Sequence, residues 1–155
     1  MSKIKRILMA TDGSELSKKA AAFAGDLARA FDASLTLVIV HDEQSVIPDA
    51  WNVVGTKLES NDPVSTEDVR KRIEANALAN DLAQTAGAAG DLSTEPVLVN
   101  LWGHAADQIC DYAATNNMDM IVIGSHGRSG IKKALLGSVS HSVVNSATCA
   151  VTVVR

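Results

Sequence analysis

Five short aliphatic runs alternate along this chain with segments of helical period, and few folds accommodate that order. The strand candidates are Ile4–Ala10, Ser34–Val40, Ser93–Asn100, Met118–Gly124 and Cys149–Arg155. Such nearly continuous apolar runs suit strands covered on both faces, as in a parallel sheet. Between the first two, Leu16, Ala20, Phe23, Leu27 and Phe31 recur at steps of three and four, the pattern of an amphipathic helix. A second helix is expected from the capping stretch Ser65-Thr66-Glu67-Asp68 to about Ala86, with Val69, Ile73, Leu78 and Leu82 on its apolar face. A third opens at "GHAAD" and turns Ala106, Ile109, Cys110 and Ala113 inward. A fourth runs through Leu136, Val139, Val143 and Val144.

Strands and helices in strict alternation imply an α/β fold with a parallel sheet between helical layers. Right-handed crossovers leave few topologies. The expected one is a flavodoxin-like, doubly wound five-stranded sheet in the order 3-2-1-4-5, formed by a single domain over residues 1–155. In that order the winding reverses between strands one and four. A ligand crevice opens there, beyond the carboxyl ends of the strands. Two polar loops would converge on it. One follows Ala10-Thr11-Asp12, and the other begins Gly124-Ser125-His126-Gly127.

Composition narrows the ligand. The formal charge is −4, whereas a general nucleic-acid binder carries a basic excess. No apolar run approaches the roughly 18 residues of a membrane span, and the apolar run near the N-terminus is too short for a signal peptide, so the expected compartment is the cytoplasm. Cys110 and Cys149 lack metal-type spacing and read as small apolar residues. No metal site is expected. The stretch from His41 to Val64 has no clean period and contains Pro48, Trp51 and Pro63. A connection of that length is usually functional or mobile; Trp51 reads equally as a cover for a ligand or as packing onto the domain.

The loop "GSHGRSGIKKALLGS", Gly124 to Ser138, has the properties of an anion cradle. The last helix starts near Gly137-Ser138-Val139-Ser140, and its first amides lack helical partners. The helix dipole favours an anion there by about 0.3–1 kcal/mol, or about 2 when partly buried. Gly127 and Gly137 carry no Cβ to obstruct an oxygen. Ser138 and Ser140 offer hydroxyl donors, and Arg128, Lys132 and Lys133 supply positive charge in an acidic chain. Each residue also has a plainer reading. Asp12 can cap the first helix, the glycines can serve turns, the serines can start a helix, and the cations can form a solvated cluster. Walker A, GxGxxG and GxSxG patterns are all absent.

The spacing Gly124-x2-Gly127-x9-Gly137-Ser138, with "ATDGS" after strand one and the terminal "VTVVR", resembles the universal stress protein family over essentially the whole chain. The resemblance implies ATP binding, alone or with Mg2+, and a homodimer. It implies that Asp12 contacts the ribose or phosphates, flanked by Ala10 and Thr11. Val40 would meet the adenine through its backbone, and Ile123 and Gly124 would border base and ribose. Gly127, Gly137, Ser138, Val139 and Ser140 would cradle the phosphates beside Arg128. His126 is grouped with these ligand-lining residues rather than read as a general base. His41, His104 and His141 have no evident partner in the sequence, and no catalytic residue is assigned. Family members often carry a proline early in the last strand, where this chain has Ala150; alanine leaves ladder pairing open. The function expected is that of a nucleotide-binding stress or regulatory protein, dimeric through its C-terminal strand, acting on a regulatory partner that the sequence does not name. A slow ATPase, or an interaction module in which ATP is structural, are the alternatives.

Overall fold

The structure is a computed structural model and describes residues 4–41, 78–127 and 136–155. Its elements, in order, are β1 (Arg6–Thr11), α1 (Glu15–Phe31), β2 (Ser34–His41), a π-helical turn (Leu78–Leu82) leading into α2 (Ala83–Ala88), β3 (Val97–Trp102), α3 (Ala105–Thr115), β4 (Met120–Gly124), α4 (Ser138–Ser146) and β5 (Ala150–Val154). The strands form one five-stranded sheet in the order β3-β2-β1-β4-β5. All four pairings are parallel. The flavodoxin-like order expected from the alternation is the one observed.

Strand pleating divides the core in two. Ile7, Met9, Leu35, Leu37, Ile39 and Val122 pack on one face against Ala20, Ala21, Ala24 and Ala28 of α1, with Leu82 and Ala89. Leu8, Ala10, Val38, Ile121 and Ile123 face the other way, against Ala106, Ile109 and Ala113 of α3 and Val143 of α4. The small side chains of α1 let its backbone lie close to the sheet. Gly25 carries this further, because a Cβ there would overlap the Ala89 carbonyl beyond α2. Helix α1 is bounded as its sequence suggests. Ser14 accepts from Ser17 N at its start, and Asp32 closes it in the left-handed conformation.

Several boundaries differ from expectation for local reasons. β3 begins at Val97 rather than Ser93, immediately after Pro96, which has no N–H to give a ladder. It continues through Trp102, because Val40 and His41 at the end of β2 pair with Leu101 and Trp102. α4 begins at Ser138, with Gly137 as its N-cap. The start of the second expected helix at Ser65, with Val69 and Ile73, lies outside the described residues; so do Trp51 and the rest of 42–64. Both cysteines are half-buried, and burial pushes each thiol above the ordinary range. They pack with the apolar side chains of α3 and β5 without being fully enclosed.

Candidate functional site

The carboxyl ends of β1 and β4 are neighbours, with Ala10 opposite Ile123. The chain leaves β1 through Asp12 and Gly13. Gly13 adopts φ +77°, which reverses the backbone so that α1 can start at once. Asp12 Oδ1 accepts from Ser14 N at 3.0 Å and braces the loop; the cap of α1 is Ser14 and not Asp12, against the plainer reading of the sequence. The second Asp12 oxygen faces the other loop. A Cβ built on Gly127 would lie 2.8 Å from Asp12 Oδ2.

The β4 loop is anchored from beneath. Ser125 is buried, and its amide donates to Val154 O at 2.7 Å, extending the β4–β5 ladder by one residue. Its carbonyl accepts from Gly137 N at 2.7 Å and from Ser140 Oγ at 2.9 Å. These two bonds seat the start of α4 on the end of β4. Ser140 Oγ also lies 2.9 Å from Gly137 O. The hydroxyl donor expected at Ser140 is therefore turned inward; Ser138, which is exposed, keeps its hydroxyl at the surface. A Cβ on Gly137 would come within 3.3 Å of Ser125 O and 3.5 Å of His126 Cα, so a side chain there would press on this seating. His126 Nδ1 is 3.0 Å from Ser125 Oγ.

Gly137, the N-cap of α4, has no side chain to cap the helix. It lies against His126, the residue before Gly127, so the positive end of the helix dipole is directed toward the β4 loop. Ala10, Ile123, Val139 and the half-buried Val40 lie on the sheet face that carries α3 and α4. Gly124 ends β4, where a Cβ would meet Leu16 Cγ at 3.3 Å. Thr11 is turned to the opposite face. Its hydroxyl donates to Ser17 Oγ at 3.0 Å and accepts from Gly13 N at 3.1 Å. Thr11 can border the crevice only through its backbone. Arg128, Lys132 and Lys133 lie outside the described residues.

The two loops thus bring a glycine-capped helix start, two glycines at points of close approach and a carboxylate to one end of the sheet. Among the described residues no group of three or more His, Cys, Asp or Glu side chains is placed to hold a metal.

Relatives fix the family. The model of the universal stress protein family matches residues 3–155. The chain belongs to the universal stress protein family. It is 32% identical to universal stress protein YxiE of Bacillus subtilis over 97% of this chain and 98% of that protein. It is 30% identical to a universal stress protein of Methanocaldococcus jannaschii over 97% of this chain and 82% of that one. Universal stress protein UspA from Lactobacillus plantarum shares the fold, with a TM-score of 0.74 and 24% identity over the full length of both chains. A universal stress protein solved in complex with cAMP matches with a TM-score of 0.62 and 25% identity over 99% and 98% of the two chains. One from Archaeoglobus fulgidus, solved in complex with dAMP, matches with a TM-score of 0.60 and 22% identity over 99% and 100%.

Sequence reading missed other groups at the carboxyl end of the sheet. His41 Nε2 bonds Asn100 Oδ1 at 2.9 Å, and its ring lies against Trp102 with centroids 4.6 Å apart. The register His41↔Trp102 makes this contact, and a register cannot be read from either strand alone. The other two unassigned histidines have neighbours one helical turn away: His104 beside Asp107 and His141 beside Asn145. Among the described residues no helix is long and apolar enough to cross a membrane.

Proposed function

We propose that this protein binds ATP in the crevice between the ends of β1 and β4, and that occupancy of the site is its regulatory signal. The observation that carries the reading is the approach of Asp12 to Gly127 next to the glycine-capped start of α4. The relatives solved with cAMP and dAMP support an adenine nucleotide as the class of ligand. Asp12 holds the ribose, Val40 meets the base through its backbone, and Gly127, Gly137, Ser138 and Val139 receive the phosphates. The reading places the protein in the cytoplasm, with ATP accompanied by Mg2+ where the cation is available. Acid release of nucleotide from freshly purified protein, followed by chromatography, identifies the ligand. Adenine nucleotide in near-stoichiometric amount supports the reading. Multiple-turnover phosphate release near the roughly 10 s⁻¹ of a median enzyme would replace it with an ATPase.

The same proposal includes a homodimer. β5 lies at the sheet edge and pairs with β4. Val154 O is directed toward β4, where it accepts from Ser125 N. Backbone groups alternate sides along a strand, so Val151 and Val153 direct their N–H and C=O outward. The β-branched side chains of this strand suit pairing, and an antiparallel partner across a twofold axis would satisfy both edges.

A further inference from the structure

We infer that Thr85, in α2 on the far side of the sheet from the proposed nucleotide, is a positioning residue for the Asp12 loop. The inference rests on the nucleotide-binding reading above. Thr85 is fully buried, and its Oγ1 lies 3.1 Å from Thr11 Oγ1. Thr11 Oγ1 in turn accepts from Gly13 N, the amide directly after Asp12. One unbroken path of hydrogen-bonding contacts therefore joins α2 to the loop that carries the Asp12 carboxylate.

Hydroxyl protons are scarce along this path. Ser17 Oγ donates to Ser14 O at 2.7 Å, and Thr85 Oγ1 donates to Asp81 O at 2.6 Å. Both carbonyls can only accept. That leaves the single proton of Thr11 to serve both Ser17 Oγ and Thr85 Oγ1, at 3.0 and 3.1 Å. Thr11 Oγ1 remains oriented to accept from Gly13 N only while both neighbours hold it. Without the Thr85 oxygen, Thr11 turns toward Ser17 alone, and the Gly13 amide loses its fixed acceptor. In a buried network each such loss is felt more than at the surface. Asp12 then samples positions away from Gly127, and the ribose loses its partner.

Thr85→Ser and Thr85→Ala separate the hydroxyl from the methyl, since both variants lose the methyl and only one loses the oxygen. ATP affinity is measured by calorimetry well below both melting temperatures, alongside the exchange rate of the Gly13 amide in nucleotide-free protein. Thr85→Ala is expected to weaken ATP about three- to tenfold relative to Thr85→Ser, the worth of one net hydrogen bond, and to speed Gly13 exchange. Equal affinity in the two variants overturns the inference while leaving the crevice intact. Should Thr85→Ala not fold, Gly13 exchange in the wild type decides: an amide exchanging at the rate of an unstructured chain overturns the inference, and a protected one supports it. Wild-type protein that takes up no ATP defeats the nucleotide reading itself, and this inference with it.

Discussion

The Asp12 carboxylate and Gly127 stand so close that a Cβ on the glycine would lie 2.8 Å from Asp12 Oδ2. Asp12 is short, and its other oxygen is held by Ser14 N, so it cannot step aside without breaking its own loop. Gly127→Ala is therefore expected to move Asp12 and weaken ATP about tenfold, roughly 1.4 kcal/mol. In an Asp12→Ala background the same substitution should cost much less, because the two residues share one contact. A double-mutant cycle by calorimetry checks this. Full additivity would separate the glycine from the carboxylate.

Gly25→Ala tests the packing of α1 on α2. Alanine in a helix interior normally gains about 1 kcal/mol over glycine. Here its Cβ would overlap the Ala89 carbonyl, and overpacking of this kind costs about 1–3 kcal/mol. Backbone cannot yield as a side chain can, so the overlap wins. Urea denaturation should show a net loss of stability. A gain would mean that the two segments separate freely.

How far the sequence carried can be judged from these residues. The strand order was legible because apolar runs and helical periods are properties of single segments. The crevice followed from that order, and its glycines stand where two loops meet. Gly25, Thr85 and the His41–Trp102 contact were not legible. Each owes its role to a second segment distant in sequence, Ala89, Thr11 and the β2–β3 register respectively. The inward turn of the Ser140 hydroxyl escaped for the same reason, since its acceptor, Ser125 O, is fifteen residues away. The start of β3 could have been placed better, because Pro96 marks it.

Asp119 gives a pH dependence. Its carboxylate accepts from the backbone N–H groups of Lys5 and Arg6 at 2.8 and 2.9 Å, and these bonds hold its pKa below the usual value. A depressed carboxylate adds stability above its unfolded pKa, about 4, and loses it as pH falls through the folded value. Wild type should be more stable than Asp119→Asn near pH 7, and the difference should shrink below about pH 4. Urea midpoints across that range check it; a difference independent of pH contradicts the assignment.

The proposed dimer has a directional test. Val153 turns its N–H away from β4, so Val153→Pro removes a donor from the outer edge and spares the β4 ladder. Analytical ultracentrifugation at several concentrations should show a shift toward monomer in a folded protein. A folded variant that dimerises as tightly as wild type places the interface elsewhere.

Calorimetric titration of ATP into wild type and Gly127→Val tests the central claim most directly. The valine side chain would occupy the space beside Asp12 where the account puts the phosphates and ribose. Wild type is expected to bind with a dissociation constant on the order of 1 μM, about −8 kcal/mol. The variant should keep its circular dichroism spectrum and give no binding heat. Equal affinity in the two proteins, or no binding by the wild type, would contradict the account.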